Sequence, residues 1–140
     1  ASGAPGALES SRVLIIDDEP AILELSEQAL LAHCEVVTCD SADDALALLD
    51  NERFDLVVSD LRMPGAIDGL GLYRFVKDMN PAQADRFVFT TADTVSRQAS
   101  GFLAESGRPY LKKPFTLKSY RHFVFDEIRL ANIRSADNDG

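Results

Sequence analysis

The feature that most constrains the fold is a regular alternation of short apolar segments with amphipathic stretches. Segments of four to six residues that are apolar on both faces are typical of buried parallel strands. Strands that alternate with helices predict an α/β domain in which helices cover both faces of one parallel sheet. The five predicted strands are RVLII (12–16), CEVVT (34–38), FDLVVS (54–59), RFVFT (86–90) and PYLK (109–112).

Helix signals lie between consecutive strands, and a fifth helix follows the last strand. Pro20 suits the first turn of a helix, and SADD at 41–44 has the Ser cap and the later acid of a capping box. The last helix is predicted to run from a Thr116 cap to Ala131.

The third and fourth helices are defined less sharply by the sequence. The fourth, at about 95–105, contains Gly101, which costs roughly 1 kcal/mol relative to Ala in a helix interior. The third is expected to stop before Pro81 and to bury a stripe formed by Leu72, Phe75, Val76 and Met79.

Composition restricts the classes of partner. The 140 residues carry a net charge of −9, which repels nucleic-acid phosphates and anionic membranes. No apolar run approaches the roughly 18 residues of a membrane helix, so no membrane insertion is expected. Cys34 and Cys39 bracket a predicted strand that holds their thiols apart, which favours free thiols and a cytoplasmic protein.

The chain ends have a different composition from the middle. Residues 1–11 are small and unpatterned, which indicates a flexible linker or a remnant of cloning. Residues 12–131 are predicted to form one folded domain, and 132–140 a polar tail. The chain is therefore expected to be one piece of a larger protein.

Polar residues follow four of the predicted strands. In a doubly wound parallel sheet, ligands bind beyond the carboxyl ends of the strands, so these residues are expected to converge at one edge. They are Asp17, Asp18 and Glu19 after strand 1, Asp60 at strand 3, Thr90 and Thr91 at strand 4, and Lys112 and Lys113 at strand 5.

This set of residues predicts metal-assisted phosphoryl chemistry. Neighbouring carboxylates repel one another unless a cation neutralises them, and their hard oxygen atoms suit Mg²⁺. A carboxylate such as Asp60 can act as a nucleophile towards phosphorus. Glu19 is assigned to the helix start, where an acid favours the helix dipole. Taken singly, each of these residues is also typical of a helix cap or a solvated turn.

The ordered motifs IIDDEP, SDLRMPG with a following DG, TTAD and LKKPF closely resemble the receiver domain of bacterial two-component response regulators and hybrid histidine kinases. The resemblance covers about residues 11–131. It implies a flavodoxin-like (βα)5 fold with strand order 2-1-3-4-5. It also implies that Asp60 is the phosphoacceptor, and that Asp17, Asp18 and Asp60 hold Mg²⁺ together with the backbone carbonyl of Arg62.

The same resemblance assigns roles to three further side chains. Thr91 matches the hydroxyl that moves to bond the phosphoryl group, and Lys113 matches the lysine that contacts it. Tyr110 matches the aromatic switch whose rotamer follows the threonine. A cis Lys113–Pro114 peptide bond is implied as well.

A receiver domain takes a phosphoryl group from a phosphohistidine of a histidine kinase or a histidine phosphotransfer protein. It is not an enzyme beyond its own phosphoryl transfer and slow dephosphorylation. The resemblance implies a switching surface on the fourth helix, fifth strand and fifth helix, which also allows a homodimer. The parent protein is a stand-alone regulator, a DNA-binding regulator or a hybrid kinase.

Two other functions compete with this one. A receiver-like scaffold without phosphorylation is disfavoured because the acids, the hydroxyl and the lysine are all present. A phosphatase of the haloacid dehalogenase type is set aside because DDEPA lacks the DxDxT arrangement that such an enzyme requires.

Two departures from the family pattern lie near Asp60. The MPGAIDG loop after Pro64 is one residue longer than the commoner MPG-x-DG form. Arg62 and Asp93 are expected to pair across the pocket mouth and to slow the entry of water.

Other side chains with chemical potential are interpreted as structural. His33 and His122 have no other metal ligands at usable spacing. Phe123 and Phe125 flank the buried stripe of the last helix, where an edge of the core is favoured over a partner contact.

Overall fold

The computed structural model describes residues 10–139, with side chains for residues 10–137. Five parallel strands form one sheet in the order β2-β1-β3-β4-β5, as the resemblance implies. The strands are β1 Arg12–Ile16, β2 Glu35–Cys39, β3 Leu56–Asp60, β4 Phe87–Thr91 and β5 Tyr110–Lys112. The helices are α1 Pro20–Leu30, α2 Ala42–Asn51, α3 Gly69–Met79, α4 Pro81–Ala84, α5 Arg97–Ser106 and α6 Leu117–Asp139.

The alternation of side chains along the strands creates two cores, one on each face of the sheet. Leu14 and Ile16 of β1 belong to a cluster covered by α2, α3 and α5. Val13 and Ile15 belong to a second cluster covered by α1 and α6. Because both faces are buried, the central strands read as continuous apolar runs, and their polar residues are left at the strand ends.

The helix starts agree with the sequence signals. The Ser41 hydroxyl accepts a hydrogen bond from the Asp44 N–H at 3.2 Å and caps α2. The Thr116 hydroxyl accepts from the Ser119 N–H at 3.0 Å at the start of α6. These caps satisfy backbone donors that a helix cannot pair internally.

The boundaries of the elements differ from the prediction in several places. Strands β2 and β4 begin and end one residue later than predicted, and β3 begins at Leu56 and ends at Asp60. The last helix does not stop at Ala131 but continues to Asp139, so residues assigned to a polar tail are helical. The predicted linker lies outside the described residues except for residues 10 and 11, and Ser11 is buried.

The prediction of which α3 residues are buried is also partly wrong. Phe75 is 50% exposed and Met79 is 47% exposed, whereas Tyr73 is buried. The Tyr73 ring packs edge-on against Phe87 and Phe89 of β4 at 5.5 and 5.9 Å. The chain then starts the additional short helix α4 at Pro81, where the Asn80 side chain caps it.

Candidate functional site

The carboxyl ends of β1 and β3 place two buried carboxylates side by side. Asp60 is the last residue of β3, and Asp17 directly follows β1, its neighbour in the sheet. Both side chains are buried, at 10% and 2% exposure. Parallel pairing therefore brings together two acids that are 43 positions apart in the sequence.

Lys113 lies directly after β5 and supplies the positive charge of the site. Its Nζ atom is 2.9 Å from Asp17 Oδ2 and 3.3 Å from Asp60 Oδ2. It also lies 3.4 Å from Glu19 Oε1. The Lys113–Pro114 peptide bond is cis, as the resemblance implies. One ammonium group thus bridges carboxylates from three positions of the chain.

Glu19 lies at the helix start, as predicted, but its carboxylate also reaches Lys113. It occupies the N-cap position of α1, but its side chain caps no backbone N–H. Its own N–H donates to Asp17 Oδ1 at 3.0 Å, and its carboxylate turns towards Lys113. The adjacent Asp18 is exposed and lines the cleft above the buried pair. The only sequence signal for Glu19 was its position beside two other acids.

Burial and charge change the acidity of this cluster. Burial and, to a smaller extent, the Asp17 charge raise the pKa of Asp60 to about 6, although Lys113 partly opposes them. Burial also raises the pKa of Asp17. Burial disfavours the Lys113 charge, but Asp17 and Asp60 outweigh that effect and raise its pKa above the ordinary value. The site therefore concentrates negative charge that one lysine does not fully compensate.

The donor set fits a hard divalent cation. One carboxylate oxygen from each of Asp17, Glu19 and Asp60 lies within 4.8 Å of the others. Among the described residues, no other group of three or more His, Cys, Asp or Glu side chains is as close together. Oxygen ligands of this type suit Mg²⁺, which retains several of its own waters. Asp18 and Glu19 are both exposed and both line the cleft, and in this conformation the Glu19 carboxylate is the one that lies near Asp17 and Asp60.

The mouth of the site is a cleft of about 260 Å³. On one side, Arg62 Nη2 lies 3.9 Å from Asp93 Oδ2 and donates to Gln98 Oε1 at 2.8 Å. The expected pair of Arg62 and Asp93 is thus present, at the long limit of an ion pair. Both residues line the cleft, together with Asp60 and Lys113.

Thr91 and Tyr110, the two predicted switch residues, lie in different environments. The buried Thr91 hydroxyl donates to the Asp93 carbonyl at 2.9 Å and accepts from the Asp93 N–H at 3.1 Å. Tyr110 lies opposite Phe89 at the start of β5, with 44% of its surface exposed. In this conformation the hydroxyl is engaged within its own turn.

Gly69, the first residue of α3, permits a close approach that the sequence analysis did not single out. A Cβ at this position would collide with the carbonyl oxygen of Asp60 and would lie 3.0 Å from that of Leu61. Gly65, in the longer loop, has a φ of +112°, which other residues rarely adopt. The loop after Asp60 is thus folded tightly against the end of β3.

The remaining candidates lie outside the site. Cys34 and Cys39 are free and buried, and burial raises the pKa of both thiols. The His33 ring packs edge-on against Phe125 at 5.3 Å. His122 is exposed, and Phe123 and Phe125 lie at the edge of the second core cluster. Within residues 10–139, no helix is both long and apolar enough to cross a membrane.

Comparison with known proteins shows the family of the chain. The family model of the response regulator receiver domain matches residues 13–124. The chain therefore belongs to the receiver domain family of two-component response regulators. Among solved structures, a CheY-like receiver domain protein from Methanospirillum hungatei aligns with a TM-score of 0.79 and 25% identity, covering 89% of this chain and 98% of the other.

Two curated relatives show how much of a longer protein this chain resembles. The response regulator protein FleR of Pseudomonas aeruginosa is 32% identical over 94% of this chain and 27% of its own length. The heme response regulator HssR of Staphylococcus aureus is 30% identical over 87% of this chain and 53% of its own length. The chain thus spans between about a quarter and a half of these relatives.

Proposed function

We propose that this domain accepts a phosphoryl group on Asp60 from the phosphohistidine of a histidine kinase or a histidine phosphotransfer protein. The observation that carries the proposal is the contact between Lys113 Nζ and Asp60 Oδ2 at 3.3 Å, within a buried carboxylate cluster. A lone buried acid would be a poor anionic nucleophile, because burial favours its protonated form. Lys113 offsets part of that effect and supports the carboxylate form.

The reaction is an in-line exchange of bonds at phosphorus. An oxygen of the Asp60 carboxylate attacks the phosphorus, the P–N bond to the donor imidazole breaks, and the imidazole leaves with its electron pair and takes up a proton. Mg²⁺, when bound, screens the charge on the phosphoryl oxygens. Lys113 would donate to the same oxygens, since it lines the cleft of about 260 Å³ together with Asp60.

The proposed output is a change of surface. A phosphoryl group on Asp60 gives the Thr91 hydroxyl a new acceptor in place of the Asp93 carbonyl, and Tyr110 turns inward as Thr91 moves. The affected surface is that of α5, β5 and α6, which correspond to the fourth helix, fifth strand and fifth helix of the sequence analysis. A partner protein, or a second copy of the domain, reads that surface.

The first test is phosphorylation by acetyl phosphate, followed by intact mass. We expect one added phosphoryl group that requires Mg²⁺, and none in Asp60→Asn. A folded protein that gains no mass in the presence of Mg²⁺ would contradict the proposal.

A second test separates the two assignments of the metal ligands. The family resemblance implies Mg²⁺ ligands at Asp17, Asp18 and Asp60, whereas the geometry groups Glu19 with Asp17 and Asp60. We therefore compare the Mg²⁺ concentration for half-maximal phosphorylation in Asp18→Asn and Glu19→Gln, which remove the same charge. If Glu19 is the ligand, only Glu19→Gln raises that concentration, by about tenfold or more. The reverse result assigns the position to Asp18.

Arg62 is proposed to lengthen the lifetime of the phosphorylated form. Its guanidinium lies over the cleft and contacts Asp93 and Gln98. Arg62→Ala should open the mouth to water and speed dephosphorylation, measured by intact mass after removal of the phosphodonor. An unchanged rate would remove this role.

A further inference from the structure

A group of arginines lies at the end of the sheet opposite Asp60. A cavity of about 150 Å³ between α4 and α6 is lined by Arg53, Arg86 and Arg134. Arg53 lies in the turn before β3, Arg86 directly precedes β4, and Arg134 lies on α6. In a chain with a net charge of −9, a concentration of positive charge runs against the overall balance.

Carboxylates do not neutralise these arginines in the structure. The half-buried Arg86 donates to the carbonyl of Asp55 and to Oδ1 of Asn132, both at 3.0 Å, and these are neutral acceptors. Arg134 donates to the Asp85 carbonyl at 3.3 Å. Among the described residues, no carboxylate lies within ion-pair distance of any of the three guanidinium groups.

The three positive charges are close enough to affect one another. Burial lowers the pKa of Arg86, Arg53 and Arg134 lower it further, and only Asp55 among the leading influences opposes the shift. Like charges held together in this way repel, and an anion placed between them removes the repulsion. Hydrogen bonds from Nη1 and Nη2 fix the Arg86 guanidinium, so its remaining N–H groups are ordered before an anion binds.

The size and charge of the cavity indicate the class of ligand. At about 30 Å³ per water molecule, the cavity is about the size of five waters, which is enough for one phosphate group. The lining of this cavity includes Asp85 besides the three arginines and so has a net charge of +2, which nearby Asp55 reduces. A phosphate monoester, with nearly two negative charges at neutral pH, has the opposite sign. Ser135 adds a hydroxyl to the same lining.

A second cavity adjoins the first. It has a volume of about 320 Å³, and Arg53 and Arg86 line both. The remaining lining comes from Phe54 and Asp55. A phosphate seated between the arginines therefore leaves room for a further part of the same molecule.

We propose that the cavity formed by Arg53, Arg86 and Arg134 is a binding site for a phosphate group, either free or carried by a small molecule. The site is independent of Asp60, which lies at the other end of β3. It gives the domain a second, noncovalent point of contact with phosphorylated ligands.

The test is a titration of the ¹⁵N-labelled domain with inorganic phosphate, without Mg²⁺ and at constant ionic strength. We expect saturable shifts of the Arg86 and Ser135 amides, while the amides around Asp60 stay unchanged. Shifts that rise linearly with concentration, or that sodium chloride reproduces, would overturn the proposal.

Matched variants distinguish specific phosphate binding from a general effect of net charge. Arg53→Ala with Arg134→Ala removes the two exposed arginines and leaves the structural hydrogen bonds of Arg86 in place. Arg97→Ala with Arg129→Ala removes the same charge from exposed positions elsewhere. The first pair should weaken phosphate binding by roughly tenfold or more, and the second by less than about twofold. Equal effects of the two pairs would overturn the proposal.

Adenosine 5′-monophosphate then distinguishes the two sources of the phosphate group. Saturable binding that is tighter than that of inorganic phosphate, with shifts extending to Phe54, supports a phosphorylated small molecule. Saturable binding of inorganic phosphate alone supports the free anion. Absence of saturable binding for both compounds would overturn the site.

Discussion

Replacing Asp60 by Asn should stabilise the Mg²⁺-free domain, and the gain should depend on pH. Burial and the Asp17 charge raise the Asp60 pKa from 3.8 to about 6 in the folded state. Each tenfold change in an acid dissociation constant corresponds to about 1.4 kcal/mol, so this rise corresponds to about 3 kcal/mol. The charged carboxylate therefore lowers the free energy of unfolding by up to that amount at neutral pH.

The sign of the pH dependence follows from proton binding. Between pH 3.8 and about 6, the folded state holds the Asp60 proton more tightly than the unfolded state does. The contribution of Asp60 to the free energy of unfolding therefore falls as pH rises through this window. Asn has no proton to lose. The variant should match the wild type near pH 4 and exceed it by about 1–3 kcal/mol at pH 7.5. The gain falls below the upper value to the extent that Lys113 loses one carboxylate partner.

The assay is urea unfolding at 25 °C in the presence of EDTA, at pH values from 4 to 7.5. Asp18→Asn is the matched control, because it removes an exposed charge beside the same cluster and should change stability by less than about 0.5 kcal/mol. Adding Mg²⁺ should reverse the order, since the wild type gains stability from bound ion. A stability difference between wild type and Asp60→Asn that does not vary with pH would refute the electrostatic reasoning. So would an Asn variant that is less stable at pH 7.5.

Three further predictions concern packing. Gly69→Ala should lower the free energy of unfolding by about 2 kcal/mol or more in urea titrations, because its Cβ meets the Asp60 carbonyl; a neutral effect would contradict that contact. Gly101→Ala should raise the free energy of unfolding by about 0.5–1 kcal/mol, since position 101 is helical and has open space for a Cβ. A lower free energy of unfolding would contradict that open space. Cys34 and Cys39 should react with a thiol reagent only on the timescale of unfolding, and rapid labelling of the native protein would contradict their burial.

Much of the fold could be predicted because its signals are local. The β-branched runs, the caps at Ser41 and Thr116, and the prolines each mark an element within a few residues of chain. The sequence missed the extension of α6 to Asp139, since a polar helix carries no apolar stripe. It also chose Phe75 over Tyr73 for the core of α3, because the rotation of a helix is set by the sheet against which it packs.

The candidate site was likewise predictable in part. The convergence of Asp17, Asp60 and Lys113 was predictable from the sequence, since the carboxyl ends of parallel strands share one edge. The position of the Glu19 carboxylate beside Lys113 was not predictable. It depends on the direction in which the chain turns between β1 and α1, and adjacent residues in a turn point to different sides.

The sequence by itself therefore determined the strand order that its motifs imply, the edge at which the acids meet, and the family to which the chain belongs. The tertiary structure alone decided that the Glu19 carboxylate joins those of Asp17 and Asp60 beside Lys113. It also decided that Arg53, Arg86 and Arg134 line one cavity. The physical reason is that strand ends follow from periodic local patterns, whereas contacts between side chains on separate elements depend on packing in three dimensions.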